Sequence, residues 1–225
     1  MVSRDLKETV VLVTAGPTRA YIDKVRYLSN YSSGQLGYEI CRELEKHVGQ
    51  LIAVVGPCDA PFHRLKSTQV IKVQTVHEMR CEVMSICKKK KPEFAILSAA
   101  VLDFEPKKIE PGKVSSKKSW KIHLVPTPKI IDEISVRFPH IKKVAFKLEW
   151  KAPSLKQIRQ FAGKNLIEKS SEALCLNYLS EIEGKYHPAF FFTPDGKFKK
   201  LYSKIDIAKE ICRFIRTSEA VPKKK

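Results

Sequence analysis

The segment TAGPTRAYIDKVRYLSNYSSGQLGYEI contains several side chains suited to binding anions. Arg26 can bind a carboxylate or a phosphate through two parallel hydrogen bonds. Asn30 offers a donor and an acceptor to an uncharged or zwitterionic group. If a helix begins at the run SSG, residues 32–34, its first backbone N–H groups are free to face a phosphate. Each of these residues also has a structural explanation, as an ordinary helix cap or as loop scaffolding.

The same segment links a predicted first strand, residues 10–14, to a predicted first helix, residues 33–46. Connections in compact α/β units are about 2–6 residues long, and much longer ordered connections tend to be functional. We therefore expect this link to carry binding residues.

Other familiar chemical signatures are absent from the sequence. There is no G-x-x-x-x-G-K-[ST] run, and Gly34 and Gly37 do not form G-x-G-x-x-G, so the P-loop and simple dinucleotide-binding interpretations lose their specific support. The six cysteines include no C-x-x-C pair, which argues against a zinc thiolate site, and no metal ligands are predicted. The histidines show no recognisable spacing with serine or cysteine, so a hydrolase triad is unsupported.

The sequence is strongly basic. It has 42 lysine and arginine residues against 24 aspartate and glutamate residues, a formal net charge of +18. Such an excess suits a nucleic-acid partner or a phosphate-rich substrate. The charge is dispersed, however, and aromatic residues do not interleave with it as they do on an RNA-binding sheet. A basic nucleic-acid-binding protein on a Rossmann-like scaffold is the alternative function, and solvated surface lysine is the simpler explanation.

Apolar runs and helical periodicities alternate along the 225 residues. This alternation predicts an α/β fold with a doubly wound, Rossmann-like, mostly parallel sheet, helices on both faces, and ligands at the carboxyl ends of the strands. A Pro-Asp-Gly turn predicts a C-terminal β-hairpin, and a Pro- and Lys-rich span after residue 99 predicts a flexible loop. The predicted strands are 10–14, 51–56, 69–73, 94–99, 120–125, 143–148 and 172–177, and the predicted helices are 33–46, 76–90, 129–137, 154–169 and 204–216.

Length and composition favour one domain over residues 1–225, with a frayed basic tail at about 218–225. The 43% hydrophobic and 29% charged fractions are typical of a globular protein. No apolar run is long enough to cross a bilayer, and the first residues lack a signal-peptide core. We therefore expect a cytoplasmic protein with no membrane partner.

Five runs of the sequence, taken in order, resemble the phosphopantothenoylcysteine synthetase (phosphopantothenate–cysteine ligase) family. They are AGPTRAYIDKVRYLSNYSSGQLG, SAAVLDFEP followed by GKV, VPTPKII, AFKLEW and LCLN, and the resemblance extends from about Val10 to the final helix. It implies a ligase that joins phosphopantothenate and L-cysteine through an acyl-nucleotide intermediate, uses CTP or ATP with Mg²⁺, releases pyrophosphate, and works as a homodimer without a nucleic-acid partner. No decarboxylase-like segment is visible, so we expect the stand-alone form.

The resemblance also implies roles for individual residues. Asn30 matches an asparagine that handles the intermediate and the cysteine step, Arg26 matches a neighbouring functional arginine, and Lys113 matches a loop lysine of the activation step. Asn30, Arg26 and Ala99 are the implied substrate contacts. The implied nucleotide contacts are Gly16, Thr18, Ser32, Ser33, Gly34, Ala99, Asp103, Lys113, Phe146, Lys164 and Lys169.

The sequence departs from the family pattern at three places, one of which is Leu176-Asn177-Tyr178 in place of the usual A-N-D. Lys147 follows the strand phenylalanine where many bacterial relatives have a small residue, as in the eukaryotic branch, so the choice between CTP and ATP stays open. Asn165 stands at one of two usual lysine positions, with Lys164 beside it and Lys169 at the other. An NAD-dependent oxidoreductase fits the predicted fold, but the sequence lacks its glycine fingerprint.

Overall fold

The computed structural model describes residues 5–117, 119–151 and 154–218. In these ranges the strands are β1 (Val10–Ala15), β2 (Arg19–Tyr21), β3 (Tyr27–Ser29), β4 (Gln50–Val55), β5 (Thr68–Lys72), β6 (Phe94–Leu97), β7 (Phe104–Pro106), β8 (Leu124–Pro126), β9 (Lys142–Glu149), β10 (Ala173–Tyr178), β11 (Ala189–Phe192) and β12 (Phe198–Leu201). The helices are α1 (Gln35–Leu44), α2 (Val76–Lys90), α3 (Ile130–Arg137), α4 (Leu155–Glu168) and α5 (Lys204–Thr217). Apart from Ser218, the predicted frayed tail lies outside the described residues.

Eight strands form one sheet in the order β12-β11-β10-β9-β6-β1-β4-β5. Neighbours from β10 to β5 run parallel, and β11 and β12 add an antiparallel hairpin at one edge. From β1 the chain builds β4 and β5 on one side, then β6, β9 and β10 on the other. This is the strand order of doubly wound dinucleotide-binding folds, so the predicted fold class is confirmed.

Alternate residues of the central strand β1 face opposite helical layers. Val11 and Val13 belong to a core cluster with Ile40 of α1 and Ile211 of α5. Leu12 belongs to another cluster, which contains residues of α2 and α3. Because the central strands β1, β4 and β6 are covered on both faces, their sequences are nearly continuous apolar runs rather than alternating patterns.

Side-chain caps set the starts of three helices. Thr75 accepts a hydrogen bond from the Glu78 N–H at the start of α2, and Ser203 accepts one from the Asp206 N–H at the start of α5. Ser154 precedes α4 in a reciprocal capping box. The predicted bounds of these helices are accordingly confirmed to within one residue. Among the described residues, no helix combines the length and the hydropathy that a membrane span requires.

The structure differs from the predicted order of strands and helices in two places, and each contains a pair of short strands. The long link after β1 contains the antiparallel hairpin β2–β3. The predicted strand at 120–125 is wrong in extent, because only Leu124–Pro126 pairs, as β8, with the unpredicted strand β7. Three residues are too few for a period-two pattern to be recognised. The connections that carry both hairpins leave the carboxyl ends of β1 and β6, where functional loops were expected.

A buried histidine gives the fold a predicted pH dependence. Burial, together with the nearby Lys204 ammonium, lowers the pKa of His187 from 6.5 to about 4, and its Nε2 lies 3.0 Å from Asn177 Nδ2. Between these two values the unfolded chain binds a proton that the folded chain does not, so stability must fall as the pH drops from 6.5 to 4. We expect His187→Gln, which cannot titrate, to reduce this loss by on the order of 2 kcal/mol in urea denaturation. An unchanged pH slope in the variant would contradict the assignment.

Candidate functional site

The carboxyl ends of β1 and β6 lie side by side, and the chain leaves them towards opposite faces of the sheet. After β1 it reaches α1 on one face, and after β6 it reaches α3 on the other. Ligands of doubly wound folds bind at such a switch point. We call this edge, with Gly16, Asn30 and Ala99 beside it, the β1–β6 crevice.

Hydrogen bonds join the two strand ends at the crevice. The Ala99 N–H donates to Thr14 Oγ1 at 3.3 Å, and the Ala100 N–H donates to the Gly16 carbonyl oxygen at 2.9 Å. Gly16 has a φ of +72°, and a β-carbon there would lie 2.9 Å from the Gly56 carbonyl oxygen, so this position requires glycine. The structure therefore brings the predicted residues Gly16 and Ala99 together.

Thr18 supports the wall of the crevice. It is fully buried, and its Oγ1 accepts a hydrogen bond from the Leu102 N–H at 3.0 Å. Thr127 Oγ1 donates to the carbonyl oxygen of Leu102 at 2.5 Å. Both threonines thus hold the segment that follows β6, and the Thr18 hydroxyl oxygen already accepts one hydrogen bond from within the chain.

Helix α1 begins beside the crevice without a side-chain cap. Its N-cap residue is Gly34, with a φ of +73°, and a β-carbon there would lie 2.4 Å from Cys58 Sγ. Ser32 Oγ and Ser33 Oγ lie 3.4 Å from the N atoms of Gly34 and Gln35, so the two serines shape the turn before the helix. The prediction that α1 starts at residue 33 is corrected to Gln35. Among the described residues, the N–H groups of Leu36 and Gly37 in the first turn have no acceptor and can face an anion.

Asn30 connects the base of the β2–β3 hairpin to the segment after β6. Its Nδ2 donates to the carbonyl oxygens of Ala100 and Val101 at 3.3 and 3.1 Å. The residue is exposed, and among the described residues no group donates to its Oδ1. This oxygen is therefore left with acceptor capacity that the described residues do not use.

Arg26 pairs with Asp23 in the turn between β2 and β3. Its Nη2 and Nε atoms lie 2.6 and 3.0 Å from Asp23 Oδ2. Burial of the carboxyl group favours a higher pKa, but hydrogen bonds from Arg26 and from three backbone N–H groups outweigh it and hold the pKa of Asp23 well below its usual range. Sequence reasoning missed Asp23, although an aspartate before a turn is a known signal, because its side chain accepts from N–H groups two and three residues later.

Lys113 is exposed in the connection between β7 and β8. The next residue, Val114, donates its N–H to Asp23 Oδ2 at 3.2 Å and accepts from Arg26 Nη2 at 2.7 Å through its carbonyl oxygen. The predicted flexible loop is therefore attached in this structure to the tip of the β2–β3 hairpin.

Asp103 and Phe146 both lie towards the carboxyl edge of the sheet. The Asp103 carboxylate is exposed and forms an ion pair with Lys129. Because Ala145 of β9 pairs with Leu97, the last residue of β6, the partly buried Phe146 lies level with the residue that follows β6. The two predicted nucleotide contacts thus belong to the same edge as the crevice.

Lys164 and Lys169 are not brought to this edge. Both lie near the end of α4, which returns the chain to the amino end of β10. Lys164 Nζ is 3.7 Å from Glu168, and Lys169 Nζ is 2.9 Å from Asp132 of α3. The position of these two lysines does not support the predicted contact with a nucleotide bound at the crevice of the same chain.

The chain matches the family described as the DNA/pantothenate metabolism flavoprotein C-terminal domain over residues 6–218. It belongs to this family. Among similar proteins, the coenzyme A biosynthesis bifunctional protein CoaBC of Thermococcus kodakarensis is 35% identical over 176 residues, which are 78% of this chain and 43% of that protein. The chain spans about half the length of the curated relatives it matches. The resemblance predicted from the sequence is confirmed.

Two solved structures share the fold of this family member. The C-terminal domain of a CoaBC protein superposes with a TM-score of 0.74 at 26% identity, over 95% of this chain and 97% of that chain. A Cab2 variant in complex with phosphopantothenate-cysteine also has a TM-score of 0.74, at 16% identity, over 92% of this chain and 86% of that chain. The second likeness supports the fold alone.

This family member also has polar groups clustered between α1 and α5. Ligand atoms of Glu43, His47 and Cys212 lie within 4.8 Å of one another. Lys46 Nζ lies 2.6 Å from the Glu43 carboxylate, and Arg216 Nη2 lies 2.7 Å from His47 Nδ1. Because two cationic side chains already bind these groups, the cluster is poorly suited to a metal ion.

A close contact between α1 and β1 fixes the crevice geometry of this family member. A β-carbon on Gly37 would lie 2.3 Å from Ala15 Cβ and 3.2 Å from Ser98 Oγ. We expect Gly37→Ala to lower the free energy of unfolding by about 1–3 kcal/mol through overpacking. Gly163→Ala is the matched control, because nothing lies within 4 Å of its added β-carbon in α4, and it should stabilise by about 0.5–1 kcal/mol. Urea denaturation distinguishes the two, and stabilisation by both would refute the close contact.

Proposed function

We propose that this chain carries a phosphopantothenate–cysteine ligase site, which joins 4′-phosphopantothenate to L-cysteine in coenzyme A biosynthesis. The observation that carries the proposal is that a member of this family assembles Gly16, Asn30 and Ala99 at the switch point of its sheet. The names of the CoaBC relatives, which are coenzyme A biosynthesis proteins, support the choice of pathway and reaction.

The proposed reaction has two steps. The phosphopantothenate carboxylate attacks the α-phosphorus of a nucleoside triphosphate, and pyrophosphate leaves. The amine of cysteine then attacks the acyl carbon and loses a proton, and the nucleoside monophosphate leaves with the carboxylate oxygen. The first step builds negative charge on the α-phosphate, and the second needs an oriented amine.

Residues at the crevice and in the connection between β7 and β8 match these needs. The uncapped first turn of α1 offers N–H groups to phosphate oxygens. The Lys113 ammonium stabilises the charge that develops in the first step. The Asn30 Oδ1 accepts a hydrogen bond from the cysteine amine and orients it towards the acyl carbon.

The co-substrate in this proposal is CTP or ATP, with Mg²⁺. Mg²⁺ often binds through substrate phosphates and water, so the crevice needs no cage of carboxylates. The exposed Asp103 carboxylate, paired with Lys129, fits a contact to the base or the ribose. Bound Mg²⁺ would neutralise phosphate charge during the first step.

We further propose a homodimer in the cytoplasm. Large apolar side chains stand exposed on the two small hairpins near the crevice, among them Val25, Phe104 and Leu124. Exposed apolar patches mark interaction surfaces. Sedimentation equilibrium of the purified protein checks this point, and a monomer at micromolar concentration would refute the dimer.

The test of the ligase uses purified protein, Mg²⁺, phosphopantothenate and cysteine, with CTP, with ATP, and with neither. We expect phosphopantothenoylcysteine, detected by mass spectrometry, to form only when all substrates are present, with one nucleotide preferred. A folded protein that makes no product with either nucleotide would refute the proposal. Tight, steeply salt-dependent binding to nucleic acid would then favour the alternative function.

A further inference from the structure

Asp23 is a buried carboxylate whose two oxygens have different partners. Oδ1 accepts from the N–H groups of Val25 and Arg26 at 2.8 and 2.7 Å, and these bonds shape the turn between β2 and β3. Oδ2 accepts from Arg26 Nε and Nη2 and from the N–H of Val114, which lies 91 residues further along the chain. Its side chain is fully buried, whereas that of Arg26 is 40% exposed.

The contacts of Oδ2 fix the residue next to Lys113. Both backbone polar groups of Val114 are bound, the N–H by Asp23 and the carbonyl oxygen by Arg26. The Arg26 guanidinium also lies 5.0 Å from the ring centre of Trp120, in the same connection. The hydrogen bonds to Oδ1 are enough to shape the turn. The bond from the Val114 N–H to Oδ2 is therefore not needed for the turn itself, and it joins the turn to the connection between β7 and β8.

We infer that Asp23 is a positioning residue, which fixes the backbone next to Lys113 by holding Val114 directly and through Arg26. The inference rests on the proposed ligase function, because it gives Lys113 a reaction to serve. In the attached state, Arg26 is engaged with the chain rather than with a substrate carboxylate. Charge-assisted hydrogen bonds of this kind fix geometry as well as contributing energy.

Asp23→Asn distinguishes the role of Oδ1 in the turn from the role of Oδ2 at Val114. The amide can keep one oxygen for the local turn but then presents an NH₂ group to Arg26 and to the Val114 N–H, both of which are donors. Asp195→Asn is the matched control, because Asp195 likewise accepts from a backbone N–H and from side chains in a turn, far from the crevice, between β11 and β12. Val114→Pro is a second variant, which removes the N–H group that donates to Asp23 and also fixes φ at residue 114, but keeps the carbonyl oxygen that accepts from Arg26.

Two readouts test the inference. The first is hydrogen exchange of the Val114 amide and of the rest of residues 110–117 in the full chain, which we expect to quicken about tenfold or more in Asp23→Asn and not in Asp195→Asn. The second is the single-turnover rate of acyl-nucleotide formation, which we expect to fall by about 10²-fold. In a Lys113→Gln background the same Asp23 substitution should cost less than about twofold, because the positioned group is already gone.

Equal losses from Asp23→Asn with and without Lys113 would overturn the inference, since Asp23 would then act independently of Lys113. Unchanged exchange at residues 110–117 would also overturn it. If Asp23→Asn does not fold, Val114→Pro decides the question by exchange of the remaining amides of residues 110–117 and by the single-turnover rate. Hydrogen exchange needs no substrate. A wild-type protein without ligase activity would therefore refute the proposed function, while the exchange measurement would still test whether Asp23 holds Val114.

Discussion

Replacing Lys113 by glutamine is expected to slow acyl-nucleotide formation by about 10²–10³-fold, equivalent to about 3–4 kcal/mol of transition-state stabilisation. Glutamine keeps much of the length of the side chain but lacks the charge that the α-phosphate needs as the carboxylate attacks. Rapid-quench measurement of pyrophosphate in a single turnover isolates this step. Nucleotide affinity should change much less than the rate, because the charge develops in the transition state.

Lys117→Gln is the control for this prediction, because Lys117 is an exposed lysine of the same connection. It should retain the wild-type rate. If Lys117→Gln is slow and Lys113→Gln is not, the functional lysine has been assigned to the wrong position. If neither is slow, the role assigned to Lys113 is refuted, and the result points to another lysine of this connection.

Replacing Asn30 by alanine is expected to block the second step and spare the first. The variant should release pyrophosphate once per site, accumulate the acyl nucleotide, and form the amide at least about 10²-fold more slowly, because the cysteine amine is no longer oriented. Rapid-quench analysis of both products in one experiment shows the separation. Loss of pyrophosphate release in a folded variant would assign Asn30 to the first step instead.

Asn165→Ala controls for the loss of an asparagine that binds backbone. Asn165 Nδ2 donates to the Phe161 carbonyl oxygen at 2.9 Å within α4, away from the crevice. We expect each variant to lose only about 1 kcal/mol of stability, and Asn165→Ala to keep both steps. A comparable loss of amide formation in Asn165→Ala would mean that the Asn30 effect is structural.

The strands and helices of the large sheet follow closely from the sequence. Buried strands such as β1 and β4 are continuous apolar runs, and α2 has the bounds that its periodicity predicted, 76–90. The crevice is predictable for the same reason, because parallel order alone places the residues after β1 and β6 at one edge. Asn30 was singled out from its place in the loop after β1, whereas Ala99 was named only through the family resemblance.

The contacts between distant segments were not predictable from local pattern. Asp23 and Val114 are 91 residues apart, and nothing in either segment indicates that one binds the other. Arg26 was expected to contact a substrate, whereas the structure pairs it with Asp23. Lys164 and Lys169 were chosen because they match a family pattern. That pattern does not say where in the fold the two lysines lie, and the structure places both near the end of α4. Long-range pairing depends on the whole fold.

Transfer of an oxygen isotope tests the proposed reaction at the β1–β6 crevice most directly. Phosphopantothenate labelled with ¹⁸O in its carboxylate is turned over with cysteine, Mg²⁺ and the preferred nucleotide, and the products are weighed by mass spectrometry. We predict one ¹⁸O atom in the nucleoside monophosphate, because the carboxylate oxygen that attacks the α-phosphorus leaves with it. Label in inorganic phosphate, together with a nucleoside diphosphate, would show attack on the γ-phosphorus and contradict the acyl-nucleotide mechanism.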